Sequence, residues 1–375
     1  MRPIQMVDLK RQYAGIKQAV DEAVAAVMDS TAFINGQTVV DFSDQLAAYL
    51  NVKHVIPCAN GTDALQIALM AAGLQPGDEV ITPSFTYIAT TEVIALLRLT
   101  PVFVEVDPDT FCMDPSAIEK AITSKTKAIV PVHLYGQSAD MEKILEIAKA
   151  HHLHVIEDNA QAIGADYTFS DGKVKKTGTM GDIGCTSFFP SKNLGCFGDG
   201  GAVCTNDDSL AEKMRMIANH GQSKKYYHDV VGCNSRLDSI QAAVLNIKLK
   251  QLDQYNAARF EAAAYYTDAF KENPRIKTPC IAPNNKHVFH QYTLVLEGVD
   301  RNQLVEQLAS AQIPAMIYYP VPAHRQKMFS FLNLTEVDLP VTDWLTERVV
   351  SLPMHTELDK EQLDYITDKV NYFTK

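Results

Sequence analysis

The segment Ser187-Phe-Phe-Pro-Ser-Lys192-Asn-Leu-Gly-Cys-Phe-Gly-Asp-Gly-Gly201 sets one lysine between a short β-type run and a glycine-rich turn. Upstream, Val155-Ile-Glu-Asp158-Asn-Ala-Gln161 ends another apolar run on a carboxylate. A lysine in a buried cleft can shed its proton and form a Schiff base with an aldehyde or ketone. A carboxylate held against a pyridinium nitrogen makes a bound pyridoxal ring an electron sink. Together the two side chains point to covalent amine chemistry. Each alone has a plainer use: most lysines are solvated surface groups, a strand-end carboxylate caps a loop, and glycines 195, 198, 200 and 201 can simply punctuate a turn.

Strands and helices must alternate to place these residues, and the pattern says that they do. Val55–Cys58, Glu79–Pro83, Thr100–Val106, Ala128–His133 and His154–Asp158 read as short apolar strands, with helical stretches near 87–98, 114–122 and 140–151. That alternation predicts a mostly parallel sheet covered on both faces. An amphipathic first helix carries Leu9, Tyr13, Ile16, Val20 and Val27 at helical spacing. No glycine or proline interrupts 236–271, which predicts one long helix there. Beyond it, 287–296 reads as a strand, 301–311 as a helix, 313–319 as a strand and 359–373 as a closing helix. The expected division is a large domain over 1–250 and a smaller C-terminal α/β domain over 251–375.

Ligands of such sheets sit at the carboxyl ends of strands. Asp158 falls at one such end, and Asn60-Gly61-Thr62 at another, opening a helix whose free N–H groups suit a phosphate. Ser187 is a second phosphate candidate. The net charge of −11 argues against a protein that coats nucleic acid or anionic lipid. No apolar run approaches the ~18 residues of a membrane helix, and the N-terminus shows no secretory h-region. Seven cysteines without a C-x-x-C pair read as reduced thiols of a cytoplasmic protein, with Cys196 expected to be partly exposed and oxidisable. There is no P-loop, no G-x-G-x-x-G after the first strand and no histidine spacing for zinc, so no metal site is expected.

The blocks Asn60-Gly-Thr-Asp-Ala-Leu, Pro83-Ser-Phe-Thr-Tyr87, Glu157-Asp-Asn-Ala-Gln161, Thr186-Ser-Phe-Phe-Pro-Ser-Lys192, Gly198-Asp-Gly-Gly and Asn234-Ser-Arg236-Leu-Asp occur in one order along the chain. In that order they resemble the DegT/StrS-type nucleotide-sugar aminotransferases, from about Leu9 to the last helix. The resemblance implies an α/β, fold-type I, aspartate-aminotransferase-like transferase that uses pyridoxal 5′-phosphate (PLP, cycling with PMP). It implies Lys192 as the Schiff-base lysine and Asp158 as the partner of the pyridine nitrogen. It implies Gln161 at the ring oxygen, and Gly61, Thr62 and Ser187 at the phosphate. Tyr87 is the expected ring-stacking aromatic, with Phe85 as its competitor. Asn234 is expected to reach the phosphate from a neighbouring subunit, hence a homodimer with shared sites. Some relatives carry histidine at the lysine position and are dehydratases; lysine here favours transamination.

Phe188-Phe-Pro-Ser-Lys192-Asn-Leu-Gly-Cys196 with His220-Gly-Gln222 and Ser351-Leu-Pro-Met-His355 looks like the branch that aminates C3 of a UDP-linked 3-keto-N-acetylglucosaminuronate, and the family resemblance implies L-glutamate as donor. Arg236 is the candidate for anionic substrate groups, Tyr319 for the sugar pocket and His324 for the nucleotide. The chain has Tyr318-Tyr319-Pro320 where relatives often have His-Tyr-Pro, a departure that bears on the sugar. Rival readings are a C4 or C3 aminotransferase of a deoxy keto sugar, a non-catalytic PLP-binding regulator and, more distantly, a nicotinamide dehydrogenase.

Overall fold

The computed structural model describes residues 1–332, 334 and 337–375. Two helices open the chain, α1 (Leu9–Ser30) and α2 (Gln37–Leu50). Then β1 (His54–Cys58), α3 (Gly61–Ala71), β2 (Glu79–Pro83), α4 (Ala89–Leu96), β3 (Thr100–Val104), α5 (Pro115–Ala121), β4 (Thr126–Ile129), α6 (Met141–His151) and β5 (His154–Asp158) alternate. A short hairpin, β6 (Asp166–Thr168) and β7 (Val174–Lys176), precedes β8 (Ile183–Ser187) and β9 (Gly201–Thr205). After α7 (Asp208–Ala218) comes a second hairpin, β10 (Gln222–Lys224) and β11 (Tyr227–His228), then α8 (Ser239–Leu249) and α9 (Leu252–Phe270). The C-terminal part holds β12 (Ile276–Lys277), β13 (Asn285–Lys286), β14 (Tyr292–Leu296), α10 (Arg301–Ser310), α11 (Pro340–Arg348), β15 (Val349–Leu352) and α12 (Lys360–Phe373).

Seven strands form the main sheet in the order β1-β9-β8-β5-β4-β2-β3. Only β9 runs antiparallel to its neighbours; β8, β5, β4, β2 and β3 pair in parallel. Strand period assigns alternate side chains to opposite faces. Val80, Ala128 and Ile156 join the core under α3, α4 and α7, while Ile81, Ile129 and Val155 join the core under α5 and α6. The same alternation separates two adjacent acids. Glu157 turns to one face and is fully buried, accepting the N–H groups of Gly178 (2.7 Å), Met180 and Gly181 (both 2.6 Å) and facing His133 Nε2 at 2.8 Å. Asp158 turns to the other.

A second sheet, β12-β14-β15, is antiparallel and has its own core with α9, α10 and α12. The N-terminal segment joins it: Ile4 lies in that core, and the Arg2 guanidinium donates to Asp359. The first residues therefore pack with the smaller unit, although the division by sequence places them with the larger.

The uninterrupted helix expected over 236–271 is two helices that meet at Lys250–Gln251. The reason is packing. Leu245 and Leu249 of α8 fill the core beside α2, whereas Ala262, Ala263, Tyr266 and Phe270 of α9 fill the core of the second sheet. A straight helix presents one stripe and would not serve both. The strand expected over 313–319 shrinks to one bridge, Met316 to Ser351, because Pro314 and Pro320 carry no N–H for a ladder. The strand expected over 287–296 begins at Tyr292, since Phe289 takes a left-handed φ of 45°. Cys196 is fully buried, its thiol donating to the Phe188 carbonyl at 3.0 Å, so the expected exposure is overturned. Cys233 is half-buried and Cys280 is exposed.

Glu157 supplies a stability prediction. Glu157→Ala strands the N–H groups of buried Gly178 and Met180 and of half-buried Gly181, together with a buried histidine, each buried orphan costing about 1–3 kcal/mol. Urea unfolding is expected to show a loss of at least about 3 kcal/mol, and a loss below about 1 kcal/mol would refute this role.

Candidate active site

The site forms where β5 and β8 end side by side. Asp158 closes β5 and is buried. Thr90 Oγ1, from the first turn of α4, donates to Asp158 Oδ2 at 2.7 Å, and the Ala160 N–H donates to Oδ1 at 3.1 Å. These two donors aim the carboxylate and leave lone pairs for a third partner.

Lys192 lies in the loop from β8 to β9. Part of its side chain opens to the cleft, yet protein packed around the ammonium lowers its pKa to about 8; the Asp158 carboxylate opposes that shift without reversing it. Among the described residues no acceptor holds the Lys192 Nζ. An unpaired amine in this state is poised to be a nucleophile or a base.

Gln161 follows Asp158 by three residues. Its Oε1 accepts the Tyr135 N–H at 2.8 Å and its Nε2 donates to the Tyr319 hydroxyl at 3.0 Å. Tyr319 stands 6.1 Å, centroid to centroid, from Tyr87, which is 56% exposed at the cleft. Phe85, the competitor for stacking, is instead fully buried against Phe111 and Tyr135.

Gly61, Thr62 and Ser187 come together. The Asn60 side chain caps α3 by accepting the Asp63 N–H at 2.8 Å, and the N–H groups of Gly61 and Thr62 find no partner among the described residues. Any Cβ at Gly61 would lie 2.7 Å from the Ser187 Cβ, so only glycine lets the strand end approach the helix so closely. The result is a cradle of backbone donors and a hydroxyl at a positive helix end.

The remaining candidates lie on other segments. Asn234 is exposed, its backbone bridged to Asn219, and the neighbouring Ser235 hydroxyl accepts the Ala59 N–H at 3.0 Å, which ties this segment to the approach to α3. Arg236 is half-buried, lies ahead of α8 rather than in it, and enters no ion pair among the described residues. His324 is buried; its Nδ1 meets Ser84 Oγ at 2.7 Å, and its Nε2 makes no hydrogen bond but lies 3.9 Å from Asp343 Oδ1. It lines a cavity of about 410 Å³ with Arg325, Lys327 and Ser330. A larger groove of about 700 Å³ runs between α1 and α8 and holds none of the expected site residues. Thr90 and Tyr135, which orient Asp158 and Gln161, went unrecognised in the sequence; only proximity in the fold reveals them.

These residues fit pyridoxal 5′-phosphate: an unpaired amine, a buried carboxylate within its field, and a phosphate-sized cradle closed by a glycine contact. Fold and site define a fold-type I, PLP-dependent transferase. The chain belongs to the DegT/DnrJ/EryC1/StrS aminotransferase family, which it matches over residues 15–371. It is 48% identical over 372 residues to the "Pleiotropic regulatory protein" of Geobacillus stearothermophilus, covering 99% of this chain and 98% of that one. It is 46% identical over 363 residues to the UDP-2-acetamido-2-deoxy-3-oxo-D-glucuronate aminotransferase of Pseudomonas aeruginosa, covering 97% and 98%. Among solved structures, S. venezuelae DesV in complex with a ketimine intermediate superimposes with a TM-score of 0.95 at 40% identity, over 100% of this chain and 99% of that one. Further relatives are named as dTDP- and GDP-linked sugar enzymes, and solved relatives hold PMP. The protein is a PLP-dependent aminotransferase of the nucleotide-sugar class.

The lowered lysine pKa has a directional consequence. Deprotonation makes the nucleophile, so half of Lys192 is competent near pH 8 rather than near 10.5. The rate at which PLP-free protein takes up PLP is expected to rise about tenfold per pH unit below 8 and to level off above 9. A rate still climbing through pH 10 would show an ordinary lysine.

Proposed function

We propose that this aminotransferase moves an amino group from L-glutamate to C3 of a UDP-linked 3-keto-N-acetylglucosaminuronate, on the route to a diamino uronic acid of surface polysaccharide such as lipopolysaccharide O-antigen. The observation that carries the reading is the near full-length similarity to the Pseudomonas aeruginosa enzyme named for that keto sugar. The protein works in the cytoplasm, where nucleotide sugars are made, as a homodimer whose sites are shared between subunits. In this reading the chain divides into a large domain over 1–250 and a small one over 251–375, a division that the break between α8 and α9 supports.

The bound cofactor supplies an electron sink for charge on the reacting carbon. The chain supplies everything else. Gly61, Thr62 and Ser187 would hold the phosphate, with Asn234 of the partner subunit completing the grip. Asp158 would keep the pyridine nitrogen protonated, and Gln161 would donate to the ring oxygen. Tyr87 would cover the ring and limit access of water. Lys192, in its neutral form, would remove the proton from the α-carbon of glutamate and in the second half-reaction return a proton to the sugar carbon that receives the amine. Arg236, Tyr319 and His324 bind the nucleotide sugar.

The dTDP- and GDP-linked relatives support a second reading, a C3 or C4 aminotransferase of another nucleotide-linked keto sugar. A regulatory reading draws on the name of the Geobacillus stearothermophilus relative; the unpaired Lys192 and oriented Asp158 favour catalysis instead.

Three outcomes test the proposal. The purified protein is expected to show a visible PLP band that L-glutamate bleaches toward the ultraviolet, and then to aminate the 3-keto uronate in a panel of keto sugars. Preference for a 6-deoxy sugar would select the second reading, and a band indifferent to every donor would select the regulator. Lys192→Ala is expected to lose the band and all turnover while remaining folded, and Asp158→Ala to lose on the order of a hundredfold or more in kcat. Mixing Lys192→Ala with Asn234→Ala subunits, each impaired alone, is expected to restore activity in the hybrid dimer. No recovery after demonstrated subunit exchange would remove the shared site.

A further inference from the structure

The loop that carries Lys192 has no regular structure of its own between Ser187 and Gly201, so its direction must be set from outside. A catalytic group on a loop is only as well aimed as the contacts behind it. Part of the support is internal: the N–H of Lys192 donates to the Phe189 carbonyl at 2.8 Å, and the N–H of Cys196 to the Phe188 carbonyl at 2.8 Å. These bonds curl the loop tightly. A Cβ at Gly195 would sit 2.3 Å from the Pro190 carbonyl oxygen, so the turn has no room to relax by substitution.

External support comes from two sides. Asn193, buried next to Lys192, donates from Nδ2 to Asn256 Oδ1 at 2.7 Å and to the Val288 carbonyl at 2.9 Å, and one face of α8 holds the turn beyond it. Gln241 bonds the Phe197 backbone from both ends of its amide, accepting the N–H at 2.8 Å and donating to the carbonyl at 3.1 Å. Two helical turns further on, Lys248 points the same way. Its side chain is completely buried, its Nζ donates to the Gly195 carbonyl at 2.5 Å and lies 5.5 Å from the Phe197 ring centre. Among the described residues no other group donates to that carbonyl, and no carboxylate pairs with this lysine. A buried ammonium with one carbonyl and one aromatic face is poorly compensated. Methionine would fill the same volume without that penalty, so packing alone gives no reason for a lysine here.

We infer that Lys248 is a positioning residue, and that by gripping the Gly195 carbonyl it fixes the turn that aims Lys192 into the cleft. The inference rests on the reading of Lys192 as the catalytic amine. It adds a second lysine, this one fully buried, that acts through the backbone three residues beyond the first. Asn193 anchors the residue after the amine, Lys248 holds the turn at Gly195, and Gln241 holds the outer part of the loop at Phe197.

Lys248→Met and Lys248→Gln test it together. In PLP-free protein, Lys248→Met is expected to keep or raise the melting temperature while amide hydrogen exchange over 193–198 quickens about tenfold. In holoenzyme the same variant is expected to weaken the induced circular dichroism of the PLP band. It should also slow the glutamate half-reaction by about tenfold to a hundredfold, as small misplacements do, with little change in glutamate affinity. Lys248→Gln keeps an N–H donor and is expected to recover most of each signal. Wild-type exchange, dichroism and rate in folded Lys248→Met would overturn the inference. Should that variant not fold, loss of all three signals in folded Lys248→Gln would overturn it equally. The Lys192→Ala result is separate: full activity there would defeat the reading of Lys192 itself, whatever Lys248 does.

Discussion

An amine kept short of water beside a carboxylate is the constraint on which this structure turns. The two effects on Lys192 pull in opposite directions: desolvation favours the neutral amine and Asp158 favours the ammonium. The net shift is downward, to about 8, so desolvation prevails. The outcome depends on how Asp158 is held. With one oxygen accepting from Thr90 and the other from the Ala160 N–H, the carboxylate is directed by its own neighbours and not drawn into a salt bridge with the lysine. A closed pair would have silenced both groups. The fold achieves the separation by ending β5 and β8 next to each other in one parallel register, Asp158 opposite Cys185, and carrying the chain five residues past Ser187 before Lys192 appears.

The central motif was legible because its spacing is enforced by strand geometry. In Glu157-Asp158 the pleat sends consecutive acids to opposite faces, and the chemistry follows from which face each meets. The sequence marks Asp158 by its place at a strand end, but it does not mark Glu157 as the staple that satisfies the turn at 178–181. That turn is 21 to 24 residues away and has no signature of its own. Thr90 is 68 residues from the carboxylate it aims, and only the assembled sheet brings them together. The same cause underlies the errors in the elements. Residues 236–271 carry an unbroken helical pattern, and only the presence of two separate cores explains the break at Lys250–Gln251. Cys196 sits in a glycine-rich stretch that reads as surface turn, yet the turn folds inward onto α8 and buries the thiol.

The cofactor side and the substrate side of the cleft differ in how firmly local structure defines them. The cradle at Gly61, Thr62 and Ser187 is backbone geometry, fixed by a helix start and a strand end that any sequence of this fold must supply. Tyr319 and His324 come instead from the irregular stretch after α10, and Arg236 from the one before α8. Their positions answer to local contacts such as Ser84 with His324 and Gln161 with Tyr319. A fold of this kind fixes the reaction class at its strand ends and leaves the sugar to its loops. Tyr318 illustrates the point: its carbonyl accepts the Tyr135 hydroxyl and its ring packs 5.8 Å, centroid to centroid, from that of Tyr319.

Two lysines show why a displaced pKa does not by itself locate the chemistry. Lys192 and Lys248 are both lowered to about 8, and burial is the leading cause in each. Their partners separate them. Lys248 is sealed, its one strong contact a carbonyl that it cannot leave without stranding a charge. Lys192 is partly open to the cleft, and no acceptor claims its nitrogen. The first arrangement spends the amine on structure; the second leaves it free to move a proton. The distinction rests on the geometry of what surrounds each nitrogen. The sealed lysine also lies where it bears on the free one, since the carbonyl it grips belongs to the same short loop.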